Sequence, residues 1–295
     1  MLIELKKMMK HRELYISLIC LGVVVLAAVS QSVQGYYSDH ELFLRLYKNY
    51  PDALTLLSPH TAWMGMTSGT SHGFFHLLFY FIFPFLIAIP IVDTIYRERN
   101  SGNLDYVWIR KKRSVYYRNK FIFSFAFSFF LFLIPVILSI ILVNLMTGHW
   151  DYTSYSEVYV RLVHGHVHLP DSIFSSAKVT LFSNALSRSP YFYIFIYYIM
   201  DALYAGAYIC LGLALSLFVK NRYLVYFMPQ MIHIGLWILL SMFGNLGWIP
   251  FYFLTPNQAV GGLSYPPLII NFFILVIIAG ALYLIGVRRK IDLLP

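Results

Sequence analysis

The sequence predicts an all-α polytopic membrane protein with six transmembrane helices in a single domain, 1–295. Composition is the first reason: 59% of the residues are hydrophobic and 12% are charged, about half the charged fraction of a typical soluble domain. Run length is the second, because a helix crosses a bilayer core with about 20 apolar residues. Six runs qualify as spans: residues 14–33, 73–92, 121–146, 191–219, 224–243 and 268–287.

The chain begins with a short basic segment, residues 1–13, which is predicted to be an amphipathic helix. Its apolar stripe comprises Leu2, Leu5, Met8 and Met9. The first span follows directly, and it is too long for the hydrophobic core of a cleavable signal, so we expect a retained helix. Beyond it, Ser38 and Glu41 have the spacing of a capping box and predict that a separate outer helix begins there.

Lysine and arginine are distributed unequally between the two sides of the predicted membrane domain. Of the 22, 17 lie on the side that holds both termini, the 93–120 loop and the loop between the fourth and fifth spans. The positive-inside rule assigns that side to the cytoplasm. The net charge of +9 is therefore a signal of topology and of contact with anionic lipid, and it gives no support to nucleic-acid binding.

The extracellular loops are predicted to be structured. The largest covers residues 147–190; its residues 158–162 alternate apolar and polar side chains as a strand does, and its second half is helical in pattern. The last outer loop, residues 244–267, is rich in glycine, proline and aromatic residues. We expect this loop to dip back into the membrane.

The 93–120 loop is the most informative cytoplasmic segment. It is predicted to contain a short helix interrupted at Gly102, with apolar side chains interleaved among charges. Those side chains are Leu104, Val107, Trp108 and Ile109. Such a segment is typical of a surface that lies against a partner or a membrane, although a simple positive-inside anchor has the same charges.

This loop closely resembles the intracellular loop of ABC-2-type permeases, the membrane subunits of ATP-driven exporters. In that family the second span ends in Glu-x-x-x-Gly-Thr, followed by an apolar pair, a basic-Ser/Pro turn and a lysine that opens the third span. Here Asn103 replaces the usual threonine. The matching positions are Glu98, Gly102, Leu104, Ile109, Arg113, Ser114 and Lys120. Residues 1–12, 248–256 and 286–292 are similar to the family's connecting helix, outer re-entrant segment and basic tail.

The resemblance implies a mechanism and a set of partners. Two permeases, identical or homologous, would sit on two cytoplasmic ATP-binding subunits in a bacterial plasma membrane. The coupling helix would comprise Glu98, Gly102, Leu104, Trp108, Ile109, Arg113 and Ser114. The chain has no Gly-Lys dipeptide and hence no Walker A loop, so it is not predicted to be an enzyme. ATP and Mg²⁺ are expected on the partner, and no cofactor is expected here.

The fourth predicted span carries a polar stripe. Its members are Tyr197, Asp201, Tyr204 and Tyr208, spaced to share one helix face. A carboxylate at this depth is costly unless it is paired or faces water. Two interpretations remain open: a substrate path, or tyrosine hydrogen bonds that lock helices together. Asp201 and His233 also leave a proton-coupled secondary carrier as the alternative function.

Three further patterns are weaker. His164, His166 and His168 would converge on zinc or copper in a strand, although a solvated loop is the favoured interpretation. Ser71 lies in a G-x-S-x-G pattern that would suit a membrane hydrolase, but a flexible cap for the second span is favoured. Asp93, at the end of that span, and His233, in the fifth, are lone polar residues, and each is interpreted as a satisfied packing or boundary residue rather than a ligand.

Overall fold

The computed structural model describes residues 2–46, 48, 74–102, 104, 108–109, 112–148, 181–182, 184–185, 189–219, 221–256 and 263–288. Within these ranges the chain is helical and contains no strand. In chain order, the helices are α1 (Leu2–Met8), α2 (Arg12–Leu46), α3 (Phe74–Ile91), α4 (Thr94–Asn100), α5 (Arg113–Thr147), α6 (Pro190–Leu215), α7 (Arg222–Met242), α8 (Pro250–Leu254) and α9 (Tyr265–Arg288), with a 3-10 helix at Leu246–Trp248.

Six of these helices are long and apolar enough to cross a membrane: α2, α3, α5, α6, α7 and α9. For the described residues, the predicted all-α class with six helices that could cross a membrane is therefore confirmed. The helices do not stop where the apolar runs stop. Helix α5 begins at Arg113 rather than at residue 121, whereas α6 ends at Leu215 rather than at residue 219.

The predicted helix start at Ser38 is wrong, because α2 continues without a break from Arg12 to Leu46. Contacts beyond the apolar run keep the chain helical. The buried Tyr36 stacks on His40, and the Tyr37 hydroxyl donates a hydrogen bond to the Met146 carbonyl near the end of α5 (3.2 Å). Ser38 is consequently a residue of the helix interior.

Helix α6 occupies the centre of the bundle, where it contacts α3, α5, α7 and α9, while α2 packs outside against α3 and α5. Glycines allow the close approach. A Cβ atom at Gly206 would lie 2.8 Å from the Phe125 ring, and one at Gly212 would lie 2.6 Å from Pro229 Cγ. Because neither gap accommodates a side chain, small residues set how closely α5 and α7 approach α6.

Helix α3 contains two prolines, and neighbouring helices satisfy the backbone carbonyls around them. Pro90 has no N–H to donate to the Leu86 carbonyl four residues earlier. The buried Ser17 hydroxyl of α2 donates to that carbonyl instead (2.7 Å). Gln230 of α7 donates to the Phe81 carbonyl, three residues before Pro84 (2.7 Å). Both contacts fix α3 between α2 and α7.

The end of the bundle where α7 stops and α9 starts is closed by the 3-10 helix and α8. The side chains of Ile249 and Phe253 are fully buried. Phe253 packs against Tyr204 of α6 (ring centroids 5.6 Å apart), and Phe251 stacks on Trp237 of α7 (5.7 Å). The segment predicted to dip back thus packs into the bundle. The predicted strand at residues 158–162 lies outside the described residues, as does most of the helical pattern after it, of which residues 184–185 are described and helical.

Candidate functional site

The two ends of the described chain meet at one end of the bundle, here termed the charged end. It comprises α1, α4, the starts of α2, α5 and α7, and the last turn of α9. The contacts that join these elements are Lys7–Glu98 (3.3 Å), Arg222–Glu13 (2.7 Å) and Arg113 Nη2 to the Val287 carbonyl (3.2 Å). An even number of spans predicts this arrangement, because it returns the chain to the side where it began.

Glu98 of α4 organises the first cluster of the charged end. Its carboxylate contacts Lys120 of α5 (3.1 Å) and Lys7 of α1 (3.3 Å), and it accepts a hydrogen bond from the Tyr116 hydroxyl. The Lys120 side chain is 3% exposed and also contacts Glu4 (3.4 Å). Two carboxylates therefore share one buried ammonium group, which fastens α1 to α4 and α5.

Asp93, in the turn between α3 and α4, organises the second cluster. Its fully buried carboxylate accepts hydrogen bonds from Arg222 Nε (2.8 Å) and the Tyr226 hydroxyl (2.6 Å), and it forms an ion pair with Arg97 Nε (3.3 Å). Both arginines also bind Glu13 at the start of α2, at 2.8 and 2.7 Å. Two acids and two arginines thus form a closed network that links α2, α4 and α7.

Asp93 is therefore not a lone polar residue, although it is the satisfied residue at the end of a span that the sequence predicts. One local signal pointed to a partner, since Arg97 follows Asp93 by one helical turn. The rest was a matter of topology: Glu13 and Arg222 each lie in the first turn of a span that starts on the same side. The positions of the charged residues and the directions of the spans, taken together, predict that these four side chains lie close to one another.

A cavity of about 390 Å³ opens between α1 and α4, next to both clusters. Its lining includes Glu4, Lys7, His11, Arg97 and Lys120. Burial and the neighbouring Arg97 guanidinium lower the pKa of His11 from its ordinary value. This histidine is therefore neutral at neutral pH, and the cavity wall is charged by its lysines, arginine and carboxylates.

The predicted coupling segment has a buried inner side and an exposed outer side. Gly102 has a φ of 69° and ends α4, so the predicted interruption is present. Leu104 is 3% exposed, and Trp108 is half-buried under the Arg113 guanidinium, which lies 5.1 Å from its ring centroid. Ile109, by contrast, is 82% exposed.

The inner side of this segment belongs to a small apolar cluster, separate from the main core, that reaches the central helix. Its buried members are Ile95, Leu104, Tyr116, Tyr117, Leu213, Ala214, Leu217 and Tyr283. Leu217, just after the end of α6, lies close to α9, since a Cβ atom at Gly286 of α9 would lie 2.6 Å from Leu217 Cδ1. Leu104 thereby belongs to the same buried cluster as Leu213 and Leu217 at the end of α6.

Helix α6 carries Asp201 in the interior, where the carboxyl group is fully buried. The Tyr80 hydroxyl of α3 donates to its Oδ2 atom (3.1 Å). Among the residues that the structure describes, no lysine, arginine or histidine forms an ion pair with Asp201. The contact fastens α6 to α3 through a single hydroxyl.

The other members of the predicted polar stripe contact different neighbours. The Tyr208 hydroxyl lies 3.1 Å from Nδ1 of His233 in α7, and the Tyr204 hydroxyl donates to the Leu268 carbonyl of α9. The Tyr197 ring packs against Tyr193 and Phe182. The four side chains of the stripe, Tyr197, Asp201, Tyr204 and Tyr208, are each at most 1% exposed. In this conformation they join α6 to its neighbours.

The remaining sequence patterns fall elsewhere. His164, His166, His168 and Ser71 lie outside the described residues. Within the described ranges, no group of three His, Cys, Asp or Glu side chains is placed to hold a metal ion.

The fold defines the class of this protein as a helical bundle with six helices long and apolar enough to cross a membrane and with a cross-linked charged end. Comparison of the chain with protein-family models, with curated proteins and with solved structures found no match. The function is therefore inferred from the geometry of the chain itself and from the resemblance of the 93–120 loop.

Proposed function

We propose that this chain is the membrane-spanning subunit of an ABC-2-type exporter, driven by ATP that a separate subunit hydrolyses. One observation carries the proposal: Ile109 is 82% exposed on a segment whose inner residue Leu104 is 3% exposed and packs towards α6. A single exposed apolar side chain is common on protein surfaces, but one on a firmly packed base, in a segment that resembles a coupling helix, is suited to receive a partner and to transmit its movement.

The two charged clusters give that base its rigidity. They tie α4 to α1, α2, α5 and α7, so a push on the segment 102–109 would move several helix ends together. The apolar cluster around Leu104 and Leu217 would pass the movement to the central helix. Closure of an ATP-binding subunit would in this way shift α6 and the helix contacts around Asp201.

The proposed assembly contains two ATP-binding subunits and a second permease, identical or homologous, in a bacterial plasma membrane. ATP and Mg²⁺ are held by the partner, and the charged end, with both termini, faces the cytoplasm, as the distribution of 17 of 22 basic residues indicates. The proposed cargo is amphipathic or hydrophobic, such as an antimicrobial peptide or a lipid, in keeping with 24 tyrosines and 25 phenylalanines.

Purification of the intact complex from native membranes tests the proposal. The tagged chain is extracted in mild detergent, and every co-purifying chain is identified by mass spectrometry. We expect a chain with a Walker A motif at one copy per permease. Recovery of the folded chain alone, with no ATP-binding chain that associates with it, would contradict the proposal.

A second candidate, a proton-coupled carrier, is favoured by one observation. Asp201 and His233 are both buried, and each is hydrogen-bonded to a tyrosine hydroxyl between spans, Tyr80 and Tyr208. Cells that express the chain can be tested for protection against toxic amphipathic peptides. Protection that collapses with the proton gradient and persists when ATP hydrolysis is blocked would favour the carrier over the exporter subunit.

A further inference from the structure

A groove on the outer surface of the bundle, between the first turns of α5 and the last turns of α9, is separate from the charged clusters. Its volume of about 540 Å³ lies within the range of about 300–1,000 Å³ found for ligand sites. The walls are mainly apolar, with Phe121 and Ile122 on one side and Tyr283 and Leu284 on the other. Ile122 and Leu284 are more than half exposed, so the groove opens towards the surroundings of the spans.

The charged-end mouth of this groove is basic. Arg118 and Arg288 line it, and both are exposed. A third arginine, Arg113, binds the carbonyl of Val287, which is itself a lining residue. No acidic residue lines the groove, and neither Arg118 nor Arg288 forms an ion pair within the described part of the chain.

We propose that this groove binds one anionic phospholipid, with an acyl chain between α5 and α9 and the phosphate at Arg118 and Arg288. The two halves of the site match the two halves of such a lipid. An apolar slot between spans receives hydrocarbon, and arginines at the level where the spans end attract a headgroup phosphate. A zwitterionic lipid fits the slot equally well but has a weaker attraction to the arginines.

Gly280 provides a means of filling the groove without disturbing the bundle. It lines the groove, and a Cβ atom placed there would have no atom within 4 Å. Gly280→Leu therefore occupies the slot with its own side chain. Gly235 of α7 is a matched control, because it also lies in a span and a Cβ atom there would meet nothing within 4 Å.

The test is native mass spectrometry of the detergent-purified full-length chain with phosphatidylglycerol and, separately, with phosphatidylcholine of the same acyl chains. We expect one phosphatidylglycerol per chain, bound at least about tenfold more tightly than phosphatidylcholine, since each arginine near a headgroup adds to the attraction. Gly280→Leu and the double variant Arg118→Gln/Arg288→Gln should each weaken this binding about tenfold or more. Gly235→Leu and Arg118→Lys/Arg288→Lys should retain it.

Three results would overturn the proposal. The first is equal binding of the two lipids, and the second is wild-type binding by Gly280→Leu. The third is a change of oligomeric state in Gly280→Leu with lipid binding unaltered, which would assign the groove to contact with a second copy. Because Gly280→Leu leaves every charge in place, it tests the site even if the double arginine variant fails to fold.

Discussion

The charged end and the interior of the bundle both bury a carboxyl group, but they satisfy it differently. Asp93 and Asp201 are equally buried, at 0% exposure. Asp93 is bound by two arginines and a tyrosine, whereas the described partner of Asp201 is one tyrosine hydroxyl. The charged end is therefore held together by charge, and the interior by aromatic packing and the close approach of small residues.

This difference bears on how movement would pass through the molecule. A closed network of ion pairs loses much of its stability when one member is removed, so it behaves as a single block. The hydrogen bonds that join α6 to α3, α7 and α9 involve separate hydroxyl groups, those of Tyr80, Tyr208 and Tyr204. These hydrogen bonds can break and form one at a time. This would allow α6 to be displaced when the charged end moves as a unit.

The largest effect is expected for Asp93→Asn. The variant keeps the shape of the side chain but leaves Arg97 and Arg222 without their buried carboxylate, a loss of about 3–5 kcal/mol in the free energy of unfolding. Unfolding in mixed detergent micelles, followed by far-UV circular dichroism, measures it. A loss below about 1 kcal/mol would mean that the network contributes no more than a surface ion pair.

Tyr80→Phe is expected to have the next largest effect. It removes the hydroxyl that donates to Asp201 and leaves a buried carboxyl group without that partner, which costs about 1–3 kcal/mol. The same unfolding assay applies. Tyr15→Phe is the control, because the Tyr15 hydroxyl also donates a hydrogen bond, to the Met9 carbonyl, but in an exposed position. Equal losses of unfolding free energy in the two variants would show that burial does not increase the contribution of the Tyr80 hydrogen bond.

Asp201→Asn should change stability less than either. Its amide oxygen still accepts from Tyr80, and no described cation loses a partner, so we expect a change within about 1 kcal/mol. The comparison with Asp93→Asn is the informative measurement, since the chemical change is identical. A loss as large as that of Asp93→Asn would show that Asp201 is held by charge as well.

The smallest effect is expected for Glu41→Gln. Its ion pair with Arg45 on α2 is long (4.0 Å) and both side chains are more than 70% exposed. Pairs of this kind contribute about 0–0.5 kcal/mol. A change above about 1 kcal/mol in the free energy of unfolding would show that ion pairs stabilise both ends of the bundle to a similar extent.

The sequence predicted the spans better than the contacts between them. Apolar run length located all six membrane helices, and Gly102 correctly marked an interruption. The helix start at Ser38 is wrong because the local capping pattern is overridden by contacts of Tyr36 and Tyr37, the two residues before it. Local sequence contains no information on what a helix meets after it leaves its apolar run.

The candidate site was predictable in part for the same reason. Leu104, Trp108 and Ile109 were recognised from their interleaving with charges within one short loop. The network of Glu13 and Asp93 with Arg97 and Arg222 joins residues that are far apart in the chain. Ion pairs of this kind can be predicted only when the positions of the charged residues are considered together with the direction of each span.

The most direct test of the central claim, that the outer side of the 102–109 segment docks an ATP-binding subunit, is a comparison of Ile109→Asp with Leu44→Asp. Leu44 is a 47% exposed apolar residue at the far end of α2. The measured quantity is the ATP-binding chain retained per permease when the complex is purified from native membranes.

Both variants should remain folded, because the substituted side chains are exposed and such changes shift unfolding by about 0.5 kcal/mol or less. We expect Ile109→Asp to reduce retention of the ATP-binding chain at least about tenfold, as loss of a contact residue at an interface does. Leu44→Asp should retain it fully. Full retention by Ile109→Asp would contradict the claim that this segment is the docking surface.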